Sequence, residues 1–303
     1  MAFDFPPNIS QSLYFAAKER GYYAKECLDV SFLPPIDAAT PAKLVGEGKR
    51  AQVGFIDSPE VIFSNAEGFP IISLFALWQD GEIGILTLSD VKSPKEFEGA
   101  KIGLLTRWDH VAFPEMVKTA GGDPSKVTTV TPTGFALVPP VVGKKLKGAL
   151  ASAFYELPEC EETAGYGKCK LFLYSDFGVP KMQFVVGANR AWAEKHPDLA
   201  KAFVRASLRG LKYSIENPEK MSRLFVRLFP EESYNVTLAI RKRLLPTEEA
   251  PWTDQHGLGY QNLEIIDGVL KFLQAKGKVP DSITLEDIAT NDYLPDPPIF
   301  VKK

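Results

Sequence analysis

Gln52-Val-Gly-Phe-Ile-Asp-Ser-Pro-Glu-Val-Ile-Phe-Ser-Asn-Ala-Glu-Gly-Phe-Pro-Ile-Ile-Ser-Leu-Phe-Ala-Leu-Trp78 is the stretch on which the fold turns. Gln52 to Ile56 is a short, mostly apolar run of strand length. Ser58-Pro59-Glu60 has the chemistry of a helix start. A hydroxyl can accept an orphan amide N–H, a proline loses nothing in the first turn, and a carboxylate suits the helix dipole. Gly68 ends that helix. Ile71 to Trp78 is then almost unbroken in apolar character, as in a strand covered on both faces. Strand, helix and strand in this order predict a mostly parallel sheet covered by helices.

The same alternation continues on both sides. Upstream, Leu13 to Arg20 has helical spacing and Gly21 stops it; Leu28 to Leu33 reads as a strand ending at Pro34-Pro35. Thr40-Pro41 reads as an N-cap and first-turn proline, opening a helix to about Glu47. Downstream the pattern restarts with a capped turn at Ser93-Pro-Lys-Glu-Phe97. Strands are expected at 101–105, 127–130, 148–154 and 170–174, and helices at about 109–120 and 137–146. Residues 182–186 return the chain to the first lobe, and residues 197–216, 218–229 and 233–277 are mainly helical. The expected division is lobe 1 at 1–89 plus 187–303 and lobe 2 at 90–186.

A chain of 303 residues suits two domains of roughly 100–200 residues each. A formal charge of -3 offers no broad basic surface, which argues against nucleic acid as a partner. Arg241-Lys-Arg243 reads as one solvated helix face. No apolar run is long enough for a membrane span. His110, His196 and His256 are scattered and form no zinc motif. No metal is expected. A turn around Gly165 and Gly167 can bring Cys160 and Cys169 together; a disulfide and two free thiols both fit, and Cys27 is left over. Met1 to Pro7 lacks the sections of a secretory signal, which fits either a cytosolic protein or a chain that starts after a removed export segment.

Four segments carry a family resemblance: Tyr14 to Val30, Lys43 to Pro70, Ser93 to Gly103, and His196 to Glu219. Over them the chain resembles the type II periplasmic binding proteins, in the branch of thiamine-pyrimidine-precursor, riboflavin and sulfonate or nitrate binders. The resemblance implies a two-lobed α/β fold with a hinge between the lobes. It also implies a monomer that captures a small molecule, hands it to an ABC transporter permease, and works periplasmically or in another extracytoplasmic, membrane-associated place. It implies no cofactor and no catalysis. Pro7-Asn8 and the Ser58-Pro59-Glu60 start are most similar to the pyrimidine binders, although Gln11 stands where those proteins commonly carry a histidine. The same branch includes a fungal-type pyrimidine synthase that consumes its own histidine and a lysine-bound pyridoxal phosphate. Ile56 aligns with that lysine and Glu60 with that histidine, and the synthase's cysteine-rich run is absent.

Open α/β sheets bind ligands at the carboxyl ends of their strands. Reading just past each expected strand selects Asn8, Ser10 and Gln11 as hydrogen-bonding residues. Asp57, Ser58 and Glu60 follow as a capping and acceptor group, and Trp78 and Trp108 as stacking rings, with Asp109 beside the second. Thr133 and Phe135 come next, then Tyr155 and Glu156. Four rings at strand ends favour a planar heterocycle, a thiamine pyrimidine precursor or a flavin. A sulfonate or nitrate ligand is the alternative and would call on Arg107, the one basic residue at an expected strand end. An enzyme using Asp57 with Glu60, or a ligand-sensing domain, are further alternatives. No nucleophile elbow or phosphate loop is present.

Overall fold

The computed structural model describes residues 1–35, 40–132 and 134–302. In chain order, helices α1 (Ser12–Glu19), α2 (Tyr22–Lys25) and α3 (Thr40–Glu47) precede strand β1 (Val53–Asp57), helix α4 (Ser58–Ala66) and strand β2 (Ile71–Trp78). Then come β3 (Ile83–Leu88), β4 (Lys101–Gly103), α5 (Arg107–Thr119), β5 (Thr128–Val130), α6 (Val138–Val142), β6 (Gly148–Ser152), α7 (Glu156–Ala164) and β7 (Cys169–Leu173). The chain closes with β8 (Phe184–Asn189), α8 (Arg190–Lys195), α9 (Pro197–Glu216), α10 (Pro218–Leu228), α11 (Tyr234–Glu248), α12 (Pro251–His256) and α13 (Leu263–Ala275). Two compact units result. Unit 1 is Met1–Asp80 with Met182–Lys303, and unit 2 is Gly81–Lys181.

Unit 1 is built on a three-stranded sheet of order β1-β8-β2. Both outer strands run antiparallel to β8, so β1 and β2 share a direction. All eight residues of β2 are buried, as its apolar run demands. Ala2 bridges Gly54 and Leu33 in parallel, which extends the sheet by a short N-terminal segment. α9 packs against α1 at very short range: a Cβ on Gly210 would lie 2.1 Å from the Leu13 carbonyl oxygen, so only glycine permits the approach. Ser214 Oγ to Ser12 Oγ at 2.7 Å ties the same two helices, and Tyr23 Oη to Ser207 Oγ at 2.9 Å ties α2 to α9.

Unit 2 is a five-stranded mixed sheet of order β5-β4-β6-β3-β7. β5, β4 and β6 run parallel, and β3 is antiparallel to both β6 and β7. Phe97, Phe113 and Phe172 form its aromatic core, with ring centroids 6.0 and 6.1 Å from Phe97. Cys160 in α7 and Cys169 in β7 are disulfide-bonded, while Cys27 is free and exposed.

Several expectations are corrected. β3 was not foreseen, yet it lies between β6 and β7 in the sheet of unit 2, so residues 81–89 belong to unit 2 and not to lobe 1. Its Gly84 has low strand propensity, but a Cβ there would meet the Phe172 carbonyl oxygen at 1.9 Å. Residues 182–186 belong to unit 1, because β8 pairs with β1 and β2. The strand pairs of unit 1 are antiparallel and the sheet of unit 2 is mixed, so neither is mostly parallel. Leu28–Leu33 is not a strand: hydrogen bonds with Met1 and Phe3 involve only Ser31 and Leu33. The expected helix at 137–146 is one short turn, since Pro139 and Pro140 supply no amide N–H. Arg241 is not on a solvated face; it is fully buried against Glu248.

Candidate functional site

In unit 1 the ends of β1 and β2 form one row. Asp57 and Trp78 are both register partners of Phe184, the first residue of β8. The Trp78 ring meets Phe184 edge-on at 4.6 Å and Phe55 edge-on at 5.1 Å. Asp57, and not Ser58, caps α4, its Oδ1 accepting the Glu60 N–H at 2.6 Å. Ser58 does different work: its N–H donates to the Gln183 carbonyl at 3.0 Å, and its Oγ accepts the Gln183 N–H at 3.3 Å. That exchange clamps the start of α4 to the residue before β8. Glu60 is buried in the first turn of α4.

Gln183 and Gln79 were not foreseen. Both side chains are buried; Gln183 Nε2 donates to Gln79 Oε1 at 2.8 Å, and Trp252 Nε1 donates to the same oxygen at 2.7 Å. Gln183 Oε1 is buried and accepts no hydrogen bond among the described residues. No local signal marks these residues, because their partners lie more than a hundred positions away.

The first loop reaches the same sheet end, since Ala2 runs parallel to β1. Asn8 Oδ1 caps the short turn Ile9–Gln11, accepting the Ser10 N–H at 2.9 Å and the Ser10 hydroxyl. Gln11 Nε2 donates to the Phe5 carbonyl at 3.1 Å and Asn8 Nδ2 to the Pro6 carbonyl at 3.0 Å. All three side chains are buried, and their polar groups shape the loop itself.

In unit 2 the carboxyl ends of β5, β4 and β6 stand side by side. Thr106 caps α5, and Asp109 closes the capping box. Asp109 Oδ2 accepts from Thr106 N–H at 2.8 Å, Thr106 Oγ1 at 2.9 Å and Leu105 N–H at 3.2 Å; Tyr174 Oη donates to Oδ1 at 3.2 Å. Burial pushes the Asp109 carboxyl above its ordinary range, and these hydrogen bonds oppose it. Glu156 repeats the device after β6, its Oε2 accepting the Ser152 N–H at 2.8 Å and the Ser152 hydroxyl at 2.6 Å. Burial raises its carboxyl too, again against the Ser152 bonds. Trp108 is buried in the first turn of α5; Tyr155 and Phe135 are half-buried. Thr133 lies outside the described residues. The signal for Ser152 was its spacing, four residues before a helix-start glutamate.

No group of three or more His, Cys, Asp or Glu side chains able to hold a metal occurs among the described residues. No described helix is long and apolar enough to cross a membrane.

The chain is 26% identical to the riboflavin-binding protein RibY of Chloroflexus aurantiacus, over 97% of this chain and 85% of that one. It is 24% identical to a formylaminopyrimidine-binding protein of Halalkalibacterium halodurans, covering 94% and 87%. It is also 24% identical to a 4-amino-5-hydroxymethyl-2-methylpyrimidine phosphate synthase of Legionella pneumophila, covering 93% and 87%. The fold is that of the alkanesulfonate-binding protein SsuA of Xanthomonas axonopodis pv. citri, with a TM-score of 0.72, 10% identity, and 95% and 97% coverage. This is the two-lobed α/β fold of type II periplasmic binding proteins. With the family described as NMT1/THI5 like matching residues 8–221, the chain belongs to that family.

Proposed function

We propose that this chain is the solute-binding component of an ABC importer, taking a small planar heterocycle such as a thiamine pyrimidine precursor or a flavin. The observation that carries the reading is Gln183 Oε1, a buried amide acceptor without a donor among the described residues, next to Phe184 and clamped to the start of α4. A buried acceptor left empty costs about 1–3 kcal/mol, so a ligand N–H there has something to gain. An amino group on a pyrimidine and the imide N–H of a flavin are such donors. The Trp78 and Phe184 rings at the same strand ends, with buried Phe55 packed edge-on behind Trp78, suit a flat partner. The carboxylates of Asp57, which caps α4, and Glu60 stand at the same helix start, and the first loop around Asn8, Ser10 and Gln11 completes the unit 1 set. Within unit 2, taken by itself, Phe135 and Tyr155 are half-buried rings, while Asp109 and Glu156 hold their helix starts in place. The names of two relatives, a riboflavin binder and a formylaminopyrimidine binder, support the same solute class.

The reading is of a binder and not a synthase. A lysine-bound pyridoxal phosphate needs an amine for its Schiff base, and Ile56, buried in β1, occupies the aligned place. Glu60 cannot donate imidazole ring atoms. The residues present therefore do not fit that cofactor, and no catalytic step is assigned. The working place proposed is outside the cytoplasmic membrane, as a monomer beside a permease. The Cys160–Cys169 disulfide supports that compartment.

Calorimetry of the purified chain with riboflavin, formylaminopyrimidine and an alkanesulfonate tests the proposal. One-to-one binding of a heterocycle, with no product by mass spectrometry, is expected. Binding of the sulfonate alone would overturn the solute class, and conversion of the heterocycle would overturn the non-enzymatic reading.

A further inference from the structure

The charges of unit 2 are sorted along its sheet. Strand register sets Leu88 beside Cys169, Thr87 beside Gly148, and Lys101 beside Thr128. Segments 88–101, 123–128, 143–148 and 165–170 therefore meet at one end. Together they carry nine lysines against four carboxylates. Three of those carboxylates are already engaged: Glu96 accepts the N–H groups of Lys92 and Ser93, and Glu98 and Asp123 both pair with Lys126. Asp109 and Glu156 lie at the opposite end of the same sheet, past the carboxyl ends of β4 and β6.

A groove of about 340 Å³ opens at the lysine end, lined by Lys101, Lys144, Lys145 and Lys147 and one carboxylate, Asp90, over apolar Leu88 and Val91, so four lysines there face a single acid. Lys147 Nζ donates to the Glu96 carbonyl at 2.5 Å. The Lys101, Lys144 and Lys145 side chains are exposed and meet no carboxylate among the described residues. Like charges gathered in this way repel unless an anion sits among them. Lys144 is moreover held at a φ of 55°, the left-handed region where glycine is the usual occupant. The turn that presents Lys144 and Lys145 is pinned by Lys144 N–H to the Val141 carbonyl and Lys145 N–H to the Pro140 carbonyl.

A second observation falls on the same end. Tyr166 is 88% exposed, carried between Gly165 and Gly167 and followed by Lys168 and Lys170. The Cys160–Cys169 disulfide anchors the base of that loop. A presented tyrosine among lysines is the composition of a surface that meets a lipid interface, where the ring sits at headgroup depth and the ammonium groups meet phosphates.

We propose that this end of unit 2 docks on an anionic phospholipid surface, with the Lys101–Lys144–Lys145 groove receiving headgroup phosphate. A free anion would leave Tyr166 without a role. The inference does not depend on which solute the chain carries, and the attachment leaves the strand ends holding Asp109 and Glu156 clear.

Co-sedimentation of the full chain with phosphatidylcholine vesicles, with and without phosphatidylglycerol, tests it. The chain is expected to pellet only with the anionic vesicles and to be released by high salt. The combined Lys101→Gln, Lys144→Gln and Lys145→Gln variant should lose binding on the order of a hundredfold, at about 1 kcal/mol per lysine near the surface. Tyr166→Ser should weaken binding at low salt, with riboflavin binding unchanged in both variants. Equal pelleting with neutral vesicles, pelleting with neither, or an unaffected lysine variant would each overturn the proposal. Release by inorganic phosphate at matched ionic strength would reassign the groove to a free anion and overturn it as well.

Discussion

Tyr174, just after β7, donates its phenolic hydrogen bond to Asp109 in the first turn of α5 at 3.2 Å, both groups being buried. The start of α5 is thus fixed twice, by its own capping box and by a residue 65 positions away. Replacing Asp109 with Ala keeps the Thr106 cap but opens the capping box, freeing the Thr106 N–H, and leaves the Tyr174 hydroxyl buried without its acceptor. A loss of about 2–4 kcal/mol is expected from urea melts, and Tyr174→Phe should cost less.

Solute affinity should follow the unit 1 strand ends. Gln183→Leu removes the buried acceptor, Glu60→Gln removes a charge, and Trp78→Phe keeps the packing but trims the ring. Each is expected to raise the Kd for the cognate heterocycle roughly tenfold, about 1.4 kcal/mol, as read by calorimetry. Unchanged affinity in all three would move the site elsewhere.

Asp4 predicts a pH dependence. Burial pushes its carboxyl up to about 7, and its Oδ1 accepts no hydrogen bond among the described residues. The unfolded chain releases this proton near its ordinary value of 3.8, before the folded chain does. Between about 4 and 7 the folded state holds more protons, so this group lowers stability as pH rises, and the loss levels off above 7. Asp4→Asn should therefore gain stability over the natural chain at pH 8, by roughly 2–4 kcal/mol, and little at pH 4. A constant difference across that range would refute the assignment.

The Arg241–Glu248 pair lies fully buried, with Arg241 Nη1 to Glu248 Oε1 at 2.9 Å and Arg241 Nε to the Ser214 carbonyl at 3.3 Å. Glu248→Gln strands a guanidinium in the interior and is expected to cost about 3–5 kcal/mol. Replacing both by Met and Leu should cost far less. Thermal melts of the three proteins separate these outcomes.

Reduction of Cys160–Cys169, which spans 9 positions, should lower stability by roughly 2–3 kcal/mol, read as a drop in the urea midpoint of unit 2. The double serine variant should match the reduced protein.

Sequence alone was enough where burial repeats at the period of a local element. Ile71–Trp78 announces a strand covered on both faces, Pro197–Glu216 an amphipathic helix, and Ser58-Pro59 a helix start within one residue of its true cap. The strand-helix alternation and four family segments were legible for the same reason, since each is a property of neighbouring residues. Tertiary structure alone decided the rest. β3 escapes notice because Gly84 weakens its pattern, and only the passing Phe172 carbonyl explains why glycine is there. Arg241 reads as solvated beside Lys242 and Arg243 until Glu248 and Ser214 surround it. Gln183 and Gln79 carry no mark in the sequence, yet they join β2, β8 and α12 at the proposed solute site. Periodicity reports which way a side chain faces; which distant side chain meets it there depends on strand pairing and helix packing, and these are set by the whole chain folding at once.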